Sequence, residues 1–562
     1  MESGRPGATP SEPPSSPAGH RAGASDRLPA GPAALVGVLG LGAGLAVGHL
    51  VAGALGPNAS PFLAVGNTAI DLAPAPLKEF AIRTFGTHDK LVLIGGMGVV
   101  LLGLAVVAGL LSRRGPRPGT VFAVALGAVG VAAVWSRPDL GPVDLLAPVA
   151  ALVVGVVVFR WLHAVAVRRG ARVEDGATAE GVEGVAVDGA AVDGAAVDGA
   201  AVDGSPVGAG TGRRRFLVLS AGVAVGAGVA GTGGQLLAGR GDAGGSAVGL
   251  GPLTPATPAP PIPAGADFAP LGTPSFITSN SDFYRVDTAL SVPRVRVENW
   301  ALRLHGGVDR EVVLGYADIR DMPLVERTVT ITCVSNEVGG EYVSTSNFIG
   351  VPLRDVLERA GVKPGADQLF STSVDGWTCG TPVADVLDRG LLAIGMNGEP
   401  LPIEHGFPAR LVVPGLYGYV SATKWVVDLE LNRFDDKQAY WLERGWAQRA
   451  PIKTQSRIDA PAPFTTVPAG SVTVAGIAYA QQRGISKVEV RVDGGPWRTA
   501  ELGTEVNLAT WRMWRVELEL GPGEHTVECR ATDRTGATQP EARVAPTPDG
   551  ATGWHSTRFT VG

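Results

Sequence analysis

Apolar positions divide the chain into two unlike halves. Four long apolar runs, about 33–55, 91–111, 119–135 and 143–163, mostly lack charge, and a fifth, about 216–238, is rich in Gly and Ala. A helix needs about 20 such residues to cross ~30 Å of hydrocarbon, so these runs predict a helical membrane domain of about five transmembrane helices. Beyond about residue 270 the periodicity changes. Residues 300–307, 328–332, 370–374, 410–414 and 424–431 read as strands, and 352–361 and 381–389 as short helices, an α+β pattern. From about 465 only alternating strands remain, around 471–478, 485–492, 511–520, 525–531 and 556–561, which predict an all-β immunoglobulin-like sandwich.

The boundaries follow from these shifts. Residues 1–32 read as a disordered cytoplasmic tail, 33–167 as a four-helix transmembrane region, and 168–212 as a low-complexity cytoplasmic linker. Ala-Val-Asp-Gly recurs at 186–189, 191–194, 196–199 and 201–204, a period of five that fits neither helix nor strand. Residues 213–238 form the fifth helix, 239–270 a Gly/Pro-rich tether, 271–450 the α+β domain and 451–562 the all-β domain. Arginine clusters at 113–117, 168–172 and 213–215 fall on one side if the N-terminus is cytoplasmic. The expectation is a multi-pass plasma-membrane protein with everything after about 238 extracytoplasmic. Arg213-Arg214-Arg215-Phe216-Leu217 reads either as a twin-arginine export signal or as an ordinary positive-inside anchor.

Composition narrows the chemistry. A net charge of −6 gives no reason to expect nucleic acid as a partner. Three cysteines, Cys333, Cys379 and Cys529, are too few for a disulfide framework or a Cys-rich zinc site. His49 and His163 fall near opposite membrane faces and cannot share one haem iron. Cys333 ends a strand and enters a Ser335-Asn336-Glu337 turn before Gly339-Gly340; read alone, it is either a small core residue or a metal thiolate.

Other segments bear on that choice. Ile331-Thr-Cys-Val-Ser-Asn336, Met396-Asn-Gly-Glu-Pro-Leu-Pro402, His405-Gly-Phe-Pro-Ala-Arg-Leu-Val-Val-Pro-Gly415, Lys424-Trp425 and Pro451-Ile-Lys-Thr-Gln-Ser-Arg-Ile458 together resemble the sulfite oxidase family of molybdopterin-dependent oxidoreductases. The resemblance runs from about 270 to the C-terminus. It implies a molybdopterin domain followed by a dimerisation domain, hence a homodimer. It implies Mo-molybdopterin as cofactor, its nucleotide form open, with Cys333 as the metal ligand. Cofactor contacts carried over from the family are Ser281, Tyr284, Arg285, Asp375, His405, Arg410, Ser421 and Lys424. For His405 a loop-capping role is the alternative.

Two positions depart from the family pattern. Val338 stands where an anion-binding Arg is expected, five residues after the ligand Cys, and Trp446 stands where the active-site Tyr is expected. Cys333, Arg285 and Trp446 are the catalytic candidates, with Arg444 and Arg449 available to replace missing charge. The reaction implied is oxygen-atom transfer between molybdenum and a small oxo substrate, with electrons passing to a separate carrier, a cytochrome or quinone-linked protein. The alternatives are a sulfoxide-type reductase and a non-catalytic surface adhesion or sensor protein.

Overall fold

The computed structural model describes residues 27–85, 88–178, 209–240 and 249–562. Most of the tail expected at 1–32, and all four repeats of the linker, lie outside those residues. The N-terminal part contains α1 (Ala30–Leu55), α2 (Pro61–Leu72), α3 (Ala75–Phe85), α4 (Asp89–Leu111), α5 (Arg117–Trp135), α6 (Leu146–Thr178) and α7 (Ala209–Arg240). Five segments of these helices, the shortest 19 residues, are long and apolar enough to cross a membrane. Helix α1 lies at the centre, packed on α4, α6 and α7. Small residues permit this: a Cβ on Gly37 would lie 2.0 Å from the Ala105 carbonyl oxygen, and one on Gly53 would lie 2.4 Å from that of Gly234. Side chains facing away from these contacts, such as Val99, Leu102, Val121, Val157 and Val225, are apolar and exposed.

The second part is sheet-rich. Its α+β portion contains β1 (Ala301–Gly306), β2 (Val312–Gly315), β3 (Val325–Thr332), β4 (Val343–Pro352), β5 (Gln368–Ser373), β6 (Thr378–Pro382), β7 (Leu391–Met396), β8 (Glu399–Pro400), β9 (Arg410–Val412) and β10 (Val426–Asn432). One sheet runs β2-β1-β10-β5-β6; the other runs β3-β4-β7-β8, with β9 also on β7. The hairpin between β7 and β8 turns on Asn397 and Gly398, both at positive φ, as a two-residue turn requires. Helices α8 (Tyr316–Arg320), α9 (Leu353–Ala360) and α10 (Val383–Arg389) cover the sheets; α9 buries Leu353, Val356, Leu357 and Ala360, the spacing of one helical face.

The C-terminal part is all β: β11 (Gln455–Ala460), β12 (Thr466–Val467), β13 (Gly470–Tyr479), β14 (Ile485–Val492), β15 (Arg498–Thr499), β16 (Glu501–Leu502), β17 (Arg512–Leu520), β18 (Gly523–Asp533) and β19 (His555–Val561). Its two sheets, β11-β13-β17-β16 and β12-β19-β18-β14-β15, share one apolar core. Cys529 lies in that core with Val527, as its phase predicts. A second core is common to the α+β and all-β parts, because Ile477, Tyr479, Trp511 and Met513 join Trp300, Val334 and Val343.

The stretch 239–270, expected as a free tether, is packed from Leu253 onward. Leu253, Ala266 and Phe268 are buried, and Thr257 bridges Val325 at the edge of β3. Prolines hold the backbone extended without requiring a donor, which suits an edge, and the apolar residues between them supply the anchors.

Candidate active site

Cys333 directly follows β3. Its amide donates to the Tyr342 carbonyl (2.9 Å), its carbonyl accepts from Asn336 N (3.1 Å), and Asn336 Oδ1 accepts from Tyr342 N (2.9 Å). These bonds close a compact loop over residues 333–342. The C-terminal domain braces that loop and its strand. Arg457 donates to Gly340 O (2.6 Å), Asn336 Nδ2 to Tyr479 OH (3.3 Å), and Gln481 to Thr330 O (2.8 Å). Gly339 has φ +82°, and a Cβ there would meet the His555 ring at 2.2 Å. Cys333 is partly exposed and free of any disulfide. Burial pushes its thiol up, opposed by hydrogen bonds from Ser335. Its charged form is close enough to raise the phenols of Tyr284 and Tyr342, both already raised by burial.

A cationic cluster shares Tyr284 with it, the phenol lying within reach of both the Cys333 and the Arg410 charge. Arg410 opens β9, is 5% exposed, and donates from Nη1 to His405 O (3.1 Å). Among the described residues its Nε has no partner and no carboxylate is paired with it; burial pulls its pKa to about 10. His405 Nε2 lies 2.9 Å from Asn280 O. A carbonyl only accepts, so Nε2 carries the proton. Burial and then Arg410 hold His405 near a pKa of about 4, so its ring is neutral at pH 7. Lys424 precedes Trp425, whose φ of +51° is unusual for a bulky residue. The Trp425 indole, bonded to Ile403 O (2.7 Å), is 2% exposed, which holds that turn in place.

Lys424 donates to Asp287 Oδ2 (3.0 Å) and Glu404 O (3.2 Å), and burial, opposed by Asp287, lowers it to about 8. Arg285 Nε reaches the same Asp287 oxygen (3.0 Å), and Lys90 donates to Asp287 Oδ1 (2.7 Å). Burial alone would raise the Asp287 carboxyl; the charges of Lys424, Lys90 and Arg285 overcome it and hold it well below the usual carboxylate range. The sequence reading missed Lys90 and the role of Asp287. The only trace was the polar His88-Asp89-Lys90 triplet at the head of an apolar run, which reads as the flank of a span.

The structure therefore brings Cys333, Tyr284, Arg285, His405, Arg410 and Lys424 together. No contact among the described residues ties the other candidates to this cluster. Ser281 is exposed and bonds Ser279 and Asp282 within its own turn. Ser421 turns its hydroxyl onto the Leu416 and Tyr417 carbonyls, where it shapes backbone. Asp375 caps Trp377 N, and its carbonyl accepts from Arg137 (3.0 Å), so it sits against the loop between α5 and α6. Trp446 packs on Tyr419 and Trp441, and no contact among the described residues ties it to Cys333. Arg444 stacks on Tyr440 and bonds Asp71 O, facing α2 and α3, and Arg449 is exposed. Neither supplies the charge that Val338 lacks.

Comparison with known proteins fits this geometry. Residues 289–441 match the oxidoreductase molybdopterin binding domain, and residues 448–555 the Mo-co oxidoreductase dimerisation domain. Human mitochondrial sulfite oxidase is 30% identical over 330 residues, which cover 49% of this chain and 59% of that one. The uncharacterized oxidoreductase YuiH of Bacillus subtilis is 35% identical over 151 residues, covering 27% of this chain and 73% of that one. The crystal structure of the sulfane dehydrogenase SoxCD from Paracoccus pantotrophus covers 51% of this chain and 84% of that one, at 23% identity and a TM-score of 0.45. The chain belongs to the sulfite oxidase family of molybdopterin-dependent oxidoreductases, and the cofactor of its oxidoreductase domain is Mo-molybdopterin. It spans 59% of the length of the mammalian sulfite oxidases.

The residues fit that cofactor. A buried guanidinium with an orphan Nε and no facing carboxylate is costly unless an anion or acceptor completes it. Among the described residues no group of three or more His, Cys, Asp or Glu could hold a metal by itself.

Proposed function

We propose that this chain is a membrane-anchored, extracytoplasmic molybdenum oxidoreductase that transfers an oxygen atom between a small, sulfur-type oxo substrate and the metal. The observation that carries the reading is the partly exposed Cys333 thiol at the end of β3 together with the orphan Nε of buried Arg410, both close enough to Tyr284 to act on its phenol. Mo-molybdopterin supplies the two-electron and oxygen-transfer chemistry. Cys333 serves as its thiolate ligand, and metal charge keeps the sulfur deprotonated against the burial that pushes it up. Arg410, Lys424 and neutral His405 hold its polar end: Arg410 by the unspent Nε, Lys424 by its remaining N–H, and His405 by Nδ1, which can accept. Tyr284 and Arg285 wall the pocket. Electrons leave to, or arrive from, a separate cytochrome or quinone-linked protein. The C-terminal part acts as an immunoglobulin-like dimerisation module.

Membrane orientation is supported by the docking contacts. Lys78 to Tyr440, Lys90 to Asp287 and Arg137 to Asp375 all join the catalytic part to one set of helix ends. Arg113, Arg114 and Arg117 lie at the opposite ends, where the positive-inside rule puts the cytoplasm. Exposed Leu72, Leu77 and Phe80 on and beside α3 suit contact with lipid at the outer interface. The twin-arginine-like Arg213-Arg214 pair suits a cofactor inserted before export.

The test is molybdenum and pterin analysis of the purified full chain, followed by steady-state assays with sulfite and with sulfoxides. About one molybdenum per chain with turnover of either class is expected. A metal-free, pterin-free protein overturns the reading in favour of an adhesion or sensor role.

A further inference from the structure

The pairing of β3 with β4 carries one step past the ends of both strands. Val329 faces Ser346, Ile331 faces Ser344 and Thr332 faces Val343. The next step sets Cys333 opposite Tyr342, and the Cys333 amide donates to the Tyr342 carbonyl (2.9 Å). Residues directly opposite in an antiparallel pair project to one face of the sheet, with Cβ atoms about 4.5–5.5 Å apart. Tyr342, Ser344 and Ser346 therefore share a face with Cys333, Ile331 and Val329.

Other contacts agree. Val329 and Ile331 pack with Phe283 and Phe348. The Tyr284 amide donates to the Ser344 hydroxyl (3.2 Å), and the Tyr284 and Tyr342 rings stand 6.2 Å apart. Two phenols thus stand on the Cys333 face. The Tyr342 backbone is clamped in both directions: its amide donates to Asn336 Oδ1 (2.9 Å), and its carbonyl accepts from Cys333. The far end of the side chain is not held in this way. Among the described residues the Tyr342 hydroxyl has no hydrogen-bond partner, and the residue is half-buried. A ring on a fixed backbone with an unspent O–H meets an incoming acceptor at little further ordering cost. A phenol also donates without adding charge, so it recognises an acceptor oxygen on a charged or a neutral molecule alike.

We propose that Tyr342 is a substrate-binding residue: its hydroxyl donates a hydrogen bond to the oxygen of a small oxo compound, charged or neutral, held beside the Cys333 sulfur. This rests on the oxygen-transfer reading above and adds a contact that no motif in the sequence marks. Tyr342 returns to Cys333 only when the loop 333–342 closes.

The experiment uses the full chain in detergent, with and without cofactor. In the cofactor-free chain, alkylation by iodoacetamide reads Cys333 alone, because Cys379 and Cys529 are buried. Tyr342→Ala should speed that alkylation several-fold by removing the neighbouring ring, and Tyr342→Phe should leave it unchanged. In the loaded chain, Tyr342→Phe should raise KM about fivefold for whichever of sulfite and dimethyl sulfoxide the wild type turns over, the loss of one hydrogen bond. kcat, molybdenum content and pterin content should stay at wild type. An unchanged KM in Tyr342→Phe overturns the inference while leaving the molybdoenzyme reading intact. So does a fall in molybdenum and pterin content, which would put the phenol on the cofactor. Alkylation of Tyr342→Ala at the wild-type rate also overturns it, because the ring would then stand away from the sulfur. A wild-type chain without molybdenum, or with molybdenum and no turnover of either compound, overturns both the oxygen-transfer reading and this inference.

Discussion

The catalytic domain is held by two kinds of surface. On one side the C-terminal domain shares a hydrophobic core with the catalytic domain through Ile477, Tyr479, Trp511 and Met513. It adds bonds from Arg457, Tyr479 and Gln481. On the other side the helical region touches mainly through polar side chains, Lys90, Arg137, Lys78 and Asn67, with Leu290 packed on Gly66 as the apolar exception. A shared core is rigid and cannot be separated without exposing apolar surface. A polar interface is weaker, tunable and partly wet. The first kind sets the geometry of the proposed ligand sulfur.

That contrast can be broken from its centre outward. Cys333→Ser removes the proposed ligand and should reduce turnover to background while circular dichroism and melting of the fold stay near wild type. Gly339→Ala strikes the C-terminal brace: it places a methyl against His555 at a positive φ and should cost about 3 kcal/mol in denaturant unfolding of the catalytic part.

The cradle has a pH signature. His405 is held at about 4 in the folded protein against about 6.5 when unfolded. The unfolded chain therefore binds the extra proton first, and stability is lost as pH falls from about 6.5 to about 4. Over that window wild type should lose about 3 kcal/mol relative to His405→Gln, which keeps a donor for Asn280 O but does not titrate. Equal slopes in the two proteins would contradict a neutral, buried imidazole. Arg457→Ala removes one charge-assisted bond to Gly340 O and should cost about 2 kcal/mol, read as faster hydrogen exchange across residues 333–342. Lys78→Ala, on the helical side, removes one hydrogen bond to the Tyr440 hydroxyl and should cost about 1 kcal/mol or less. It should be read in exchange across residues 440–445. If it destabilised the fold as much as Gly339→Ala, the two surfaces would not differ in kind.

Much of this was legible in sequence because it is local. Charge-free runs mark the long helices, and alternation marks β3, β13, β17 and β18. The Asn397-Gly398 turn and the Arg410 strand carry their own signatures. The cradle residues Tyr284, Arg285, His405, Arg410 and Lys424 were reachable through motif order. What was not legible depends on packing between distant segments. Nothing local to Ser421 announces that its hydroxyl bonds the Leu416 and Tyr417 carbonyls. The Gly/Pro-rich stretch 239–270 looked like a tether because its few apolar anchors are widely spaced. Lys90 is about 200 residues from Asp287 in sequence, and no local pattern distinguishes it from an ordinary flank of a span.

The most direct test of the central claim is X-ray absorption at the molybdenum edge of the cofactor-loaded full chain, comparing wild type with Cys333→Ser. The account predicts one fewer sulfur neighbour around molybdenum in the variant, with metal and pterin content retained. An unchanged sulfur count would contradict it, because the thiolate would then come from elsewhere.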